Sequence, residues 1–195
     1  MWGLPSSGKT SVLTALTKIK SPETITFHDD LVATKAFNMQ DFYHTTDARY
    51  RIVLYDVGGA SGNTITFFNR TSYHKLTSVN TLLGSDFVKK FCHDINAAIY
   101  AIDSSPKNKL FYPVVVEQLK TMCKVLPVSI PIILMLSKND VAHFVSKEDI
   151  LEGIKFEEIK QQFPSKEFHV ISCSSVDHNG LLDILSWLAD HASLS

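Results

Sequence analysis

The chain has 195 residues, 19 of them basic and 20 acidic, for a net charge of −1 with histidines neutral. This length suits one domain with a core large enough to need neither disulfides nor metal, and so even a charge balance excludes a nucleic-acid binder held by net charge, or an acidic tail. Cys92, Cys123 and Cys173 stand far apart with no C-x-x-C pair, which argues against a disulfide framework or zinc site and for a reducing compartment, so a cytoplasmic location is expected. No apolar run reaches the ~18 residues of a membrane span, and residue 2 is Trp where N-myristoylation needs Gly. No membrane anchor and no nucleic-acid partner are therefore expected in the chain as given.

The first element is Gly3-Leu4-Pro5-Ser6-Ser7-Gly8-Lys9-Thr10, a complete G-x-x-x-x-G-K-[ST] phosphate-binding loop. Its glycines let the backbone curl so that successive N–H groups face an anion, and the following helix adds the positive end of its dipole. Lys9 is expected to reach the β- and γ-phosphates and Thr10 to ligate Mg²⁺, with Ser11 completing the loop-to-helix junction. The helix continues with Val12, Leu13, Leu16 and Ile19 on one side. The strand that should precede such a loop is expected to be missing from the chain, with upstream residues or a partner completing the sheet.

The segment 20–35 reads as loop. Residues 37–44 and 49–57 suit two strands of an antiparallel hairpin around the turn-forming Thr45-Thr46-Asp47-Ala48. The second strand delivers Asp56 beside Val57, Gly58 and Gly59, as a phosphate site requires of a carboxylate that holds Mg²⁺ and a glycine N–H that approaches the γ-phosphate. Residues 60–94 are rich in Ser, Thr, Asn and Phe and read as mostly loop with a short helix near 85–93.

A buried strand follows at 97–102, ending at Asp103-Ser104-Ser105-Pro106, and then a helix over Tyr112 to Val125. Pro131 to Leu136 is the next buried strand and runs into Ser137-Lys138-Asn139-Asp140. Ser146 with Asp149 resembles a capping box, residues 168–173 form the last strand, and Gly180 to Ala192 is a terminal helix expected to turn Leu181, Leu182, Leu185 and Leu188 inward. The fold class expected is α/β, a mostly parallel sheet with one antiparallel edge hairpin and helices on both faces, in a single domain over 1–195. Such sheets bind ligands at the carboxyl ends of their strands, where each motif lies.

Four motifs stand in order: the phosphate loop, Asp56-Val57-Gly58-Gly59, Ser137-Lys138-Asn139-Asp140 and Cys173-Ser174-Ser175. This order resembles small GTPases. The resemblance implies that Asp140 accepts hydrogen bonds from the two guanine N–H positions and that the Lys138 stem lies over the ring, with Ser137, Cys173, Ser174 and Ser175 completing the base pocket. Adenine lacks those donors, so a carboxylate placed for them rejects it.

Asp-Val-Gly-Gly, and Ala33-Thr34-Lys35-Ala36-Phe37-Asn38 set against Pro-Thr-Ile-Gly-Phe-Asn, resemble the ADP-ribosylation factor (Arf) and Arf-like family most. A signal-recognition-particle-receptor β-like GTPase is the second relative, and a P-loop kinase a distant third. The Arf resemblance makes Thr34 the residue that closes on Mg²⁺ and γ-phosphate, alongside Thr10 and Asp56. It makes Lys9 and Gly59 the stabilisers of the reacting phosphate, and Phe37, Tyr55 and the expanded switch II region at 60–94 the surface for an effector or assembly partner. GTP or GDP with Mg²⁺ is the implied cofactor set.

Three departures bear on function. Where the family has a glutamine that orients the attacking water, this chain has Ala60, whose methyl group can neither donate nor accept. Where the base motif begins with an Asn whose side chain in the family ties base to phosphate loop, this chain has the shorter Ser137, so nucleotide affinity is expected to fall while Asp140 preserves selectivity. Roughly twenty extra residues between Asp56 and Asp103 are of a length that is usually functional or disordered. The expected function is an Arf-like molecular switch with weak or partner-dependent GTP hydrolysis. The alternative is a GTPase-like subunit of a larger assembly that holds nucleotide without turnover.

Overall fold

Residues 98–102 and 132–136 are apolar at every position, which suits strands covered on both faces, and these two segments form the middle of the sheet. The computed structural model describes residues 1–20, 37–43, 51–57, 65–69, 72–76 and 95–192. The elements in chain order are β1 (Trp2–Gly3), α1 (Lys9–Lys20), β2 (Phe37–Tyr43), β3 (Arg51–Val57), β4 (Ile65–Asn69), β5 (Ser72–Leu76) and β6 (Ala98–Asp103). A 3₁₀ turn (Pro106–Phe111), α2 (Tyr112–Val125), β7 (Ile132–Ser137), α3 (Lys147–Gly153), α4 (Phe156–Gln162), β8 (Phe168–Ser172) and α5 (Leu181–Ala192) complete the order.

Strands β1, β6, β7 and β8 pair side by side in that order, all parallel. Successive side chains of a strand point to opposite faces, and the sheet uses both. Ala98, Tyr100 and Ile102 with Ile132, Leu134 and Leu136 pack against α2, α3 and α4 through Val115, Leu119, Ile150 and Ile159. Ile99, Ala101, Ile133 and Met135 pack on the other face against α1 and α5 through Val12, Leu13, Leu16, Leu181 and Ile184. Each fully buried Leu or Ile of this kind contributes about 1.5–3 kcal/mol relative to exposure. The helices are thereby fixed on both faces, and every β-to-α connection of the parallel sheet opens at one end.

Several expectations need correction. Of the strand expected to be missing, two residues, Trp2–Gly3, pair parallel with β6, Trp2 opposite Tyr100 and Gly3 opposite Ala101, where the β6 edge has N–H and C=O groups that need partners. The expected antiparallel hairpin of β2 and β3 forms, with Asn38 opposite Asp56, and among the described residues it pairs only with itself as a separate two-stranded sheet. Within the segment expected to be mostly loop, β4 and β5 form a second antiparallel hairpin, Ile65 opposite Leu76 through Asn69 opposite Ser72. The helix expected near 85–93 lies outside the described residues. In α5, Leu182 is exposed while Ile184 is fully buried. Leu181, Ile184, Leu185 and Leu188 follow i, i+3, i+4 and i+7, whereas Leu182 sits about 100° round the helix from Leu181.

Candidate functional site

At the carboxyl end of the parallel sheet the loop after β1 turns back on itself through three residues of positive φ, Gly3 at 141°, Ser6 at 59° and Gly8 at 79°. At Gly3 the glycine is required by space as well as conformation: a Cβ there would run into the Ala101 carbonyl oxygen and lie 2.9 Å from Ser7 Oγ. The Ser7 N–H closes the turn onto the Leu4 carbonyl at 3.2 Å. The first helical bond runs from the Val12 N–H to the Gly8 carbonyl at 2.8 Å, so the N–H groups from Gly8 to Ser11 belong to the open first turn of α1, where anions bind. Lys9 is only 5% exposed. Its ammonium donates to the Gly3 carbonyl at 3.0 Å, the Leu4 carbonyl at 2.9 Å and Ser7 Oγ at 3.3 Å. A cation held inside a curled, glycine-containing loop at a helix N-terminus is the arrangement a phosphate group neutralises.

The base motif joins this loop directly. Ser137, buried at the end of β7, donates its hydroxyl to the Ser7 carbonyl at 2.7 Å, with the Ile102 carbonyl at 3.2 Å. The packing there is close: a Cβ at Gly8 would lie 3.2 Å from Ser137 Oγ and 3.3 Å from Ser137 Cβ. A serine therefore makes the tie to the phosphate loop that its shorter side chain was expected to weaken. The loop and β7 approach closely enough for one hydroxyl to span them.

Lys138 follows with φ of 62°, and its ammonium reaches the Asp103 carboxylate at the end of β6, Nζ to Oδ2 2.8 Å. Asp103 Oδ1 also accepts the Ser105 N–H at 2.8 Å. Burial pushes the Asp103 carboxyl up, but the hydrogen bonds from Lys138 and Ser105 and the lysine charge outweigh it and hold the group below the usual carboxylate range. Asp103 carried no role in the sequence reading. The sequence shows only a strand-end carboxylate, and the parallel register, Asp103 opposite Ser137, puts it beside the start of the base motif.

The fourth motif meets the third through the backbone. The Asn139 N–H donates to the Cys173 carbonyl at 3.3 Å, and the Cys173 N–H to the Leu136 carbonyl at 2.8 Å. Ser174 Oγ accepts the N–H groups of Val176 at 2.9 Å and Asp177 at 3.3 Å, which shapes the loop that carries half-buried Ser175. Burial, and then the negative charges of Asp140 and Asp177, push the Cys173 thiol up to about 12, so it stays neutral and contributes packing and backbone. Asp140 is exposed at the mouth of this corner.

Phosphate loop, base motif and Cys173-Ser174-Ser175 are thus brought together. Of the residues expected to hold Mg²⁺, Thr10 stands in the first turn of α1 with its carbonyl accepting Thr14 Oγ1 at 2.8 Å, and Asp56 is placed in β3. Thr34, Gly59 and Ala60 lie outside the described residues, and for Phe37 and Tyr55 only their strand positions in β2 and β3 are described. Among the described residues no group of three or more His, Cys, Asp or Glu side chains is placed to hold a metal, and no helix is long and apolar enough to cross a membrane.

Comparison with known proteins agrees with this geometry. The chain is similar in structure to the Arl6 BBS3 small GTPase from Trypanosoma brucei, solved with the nucleotide analogue GppNp bound. The TM-score is 0.68 and the identity 21%, over 99% of this chain and 95% of that one. At that identity the likeness establishes the small-GTPase fold. No curated protein matches the chain significantly in sequence. The family model of the ADP-ribosylation factor family matches residues 85–192, more than half of the chain. With the phosphate loop, the base motif and the parallel sheet in their places, the chain belongs to the ADP-ribosylation factor family.

Proposed function

We propose that this end of the sheet binds GTP and GDP with Mg²⁺, and that the chain works as a nucleotide-dependent switch with weak or partner-dependent hydrolysis. The observation that carries the reading is the Ser137 hydroxyl bond to the Ser7 carbonyl, because it joins the base motif directly to the phosphate loop. The residues present suit the ligand: the buried Lys9 ammonium and the open first turn of α1 suit phosphate, and the exposed carboxylate of Asp140 suits the paired guanine N–H donors. Thr10, Thr34 and Asp56 would hold Mg²⁺, which would supply charge neutralisation for the phosphates.

Lys9 and the Gly59 N–H would stabilise charge on the γ-phosphate oxygens, and Thr34 and Gly59 would sense whether that phosphate is present. Ala60 provides no group to orient water. A partner that supplies such a group, or an arginine finger, would then set the hydrolysis rate. Ala60 and the length of the 60–94 segment also favour a second reading, a nucleotide-holding subunit of an assembly that does not turn over.

The test of binding is a competition titration against fluorescently labelled GDP. GTP and GDP should displace it far better than ATP or ADP, and Asp140→Ala should abolish that preference. Equal affinity for ATP and GTP, or an unchanged preference in the variant, would defeat the reading.

A further inference from the structure

We infer that Asp103 is a positioning residue for the nucleotide base, acting through Lys138, an assignment that rests on the reading of the site as a guanine-nucleotide pocket. The carboxylate ends β6, is 8% exposed, and has both oxygens engaged, Oδ1 by the Ser105 N–H at 2.8 Å and Oδ2 by the Lys138 ammonium at 2.8 Å. The Asp103 carbonyl in turn accepts Asn108 Nδ2 at 2.8 Å, so the residue that receives the lysine is anchored at backbone and side chain. Lys138 itself begins on the neighbouring strand end in a left-handed conformation, φ 62°. Its side chain must therefore run from the end of β7 across to the end of β6.

The path of that side chain is what matters. A Cβ built on Gly8 would lie 4.0 Å from Lys138 Cε, so the stem runs beside the phosphate loop, about one methyl group away from it, on its way to Asp103. A lysine whose ammonium is solvated samples many rotamers and loses up to about 2 kcal/mol of side-chain entropy when a ligand fixes it. One already tied at its tip offers its methylenes as a fixed apolar surface, so the ordering cost falls on folding and not on binding. The surface so formed is flat and apolar and carries no hydrogen-bonding pattern. Asp103 therefore governs how tightly a purine is held, while Asp140 governs which purine is chosen.

The experiment is a double-mutant cycle on labelled GDP affinity and release, with ADP as competitor. Asp103→Asn keeps the Ser105 bond and removes the charge that holds Lys138. It should weaken GDP binding about tenfold, mainly through faster release, and leave the preference for GDP over ADP unchanged. Lys138→Met, at a side chain that is 32% exposed, should give a similar loss by itself, and Asp103→Asn added to it should cost less than a further twofold. Asp103→Glu, which keeps the charge, should recover part of the affinity.

GDP affinity of Asp103→Asn within twofold of the unaltered protein would overturn the assignment. So would full multiplication of the two losses in the double variant, since Asp103 would then act through the fold and not through Lys138. Should Asp103→Asn fail to fold, Lys138→Met alone decides, and unchanged affinity there refutes the idea. Absence of GDP binding by the unaltered chain would instead defeat the reading of the pocket itself, and this assignment with it.

Discussion

Replacing Ser137 by alanine removes one hydroxyl and isolates the bond that joins the base motif to the phosphate loop. The hydroxyl donates to the Ser7 carbonyl at 2.7 Å, and both residues are 1% exposed, so no water replaces the lost donor. A typical hydrogen bond is worth about 0.5–1.5 kcal/mol net, but a buried acceptor left unpaired costs about 1–3 kcal/mol. The second figure applies here. In the free protein the loop can relax away from β7 and recover part of that loss, and nucleotide binding must then restore the loop.

The total penalty should therefore appear in the nucleotide-loaded protein as about 1–3 kcal/mol, divided between lower intrinsic stability and weaker affinity. If all of it fell on affinity, GDP would bind about 5- to 150-fold more weakly. Urea unfolding with and without saturating GDP, together with the measured Kd, gives both parts. A loss below about 0.5 kcal/mol in the loaded protein would mean that the bond does not tie the two motifs together.

Gly3→Ala should destabilise the chain by more than about 2 kcal/mol, because φ is 141° and the added Cβ meets the Ala101 carbonyl of the paired strand; thermal unfolding within a few degrees of the unaltered protein would refute it. The buried thiols of Cys123 and Cys173 are raised from an ordinary 9.0 to about 11 and about 12. The unfolded chain releases those protons first as pH rises, so this stability is complete below pH 9 and is lost between that value and the folded ones, at up to about 1.4 kcal/mol per pH unit for each thiol. Urea midpoints at pH 8.5 and 10.5 should differ accordingly, and Cys173→Ala should reduce the slope. Single-turnover GTP hydrolysis should be on the order of 10²-fold slower than in glutamine-bearing relatives, and Ala60→Gln should raise it; a comparable intrinsic rate would defeat the proposal that Ala60 limits the reaction.

What the sequence determined by itself is local. The phosphate loop is written in residues 3–10 because a curled loop needs glycine at set spacings, and α1, α2 and the Ser146 cap are legible because a helix repeats within four residues. Ser146 Oγ does accept the Asp149 N–H, at 3.1 Å. The buried strands β6 and β7 are legible for the same kind of reason, as continuous apolar runs. The tertiary structure alone decided what depends on pairing across the chain. Trp2–Gly3 is too short to show any period, and becomes a strand only because β6 offers an open edge.

Leu182 and Ile184 are equally apolar; helical spacing groups Ile184 with Leu181, Leu185 and Leu188, and the packing of α5 against the sheet turns that face inward. Ser137 looked weaker than the Asn it replaces. Its reach became sufficient once the fold had brought Ser7 within 2.7 Å, across 130 residues of chain. Asp103 and Lys138 are separated by 35 residues, and each alone is an unremarkable charge at the end of a strand. Parallel pairing of β6 and β7 puts those ends side by side, and a buried carboxylate next to a long flexible cation leaves the pair little choice but to meet.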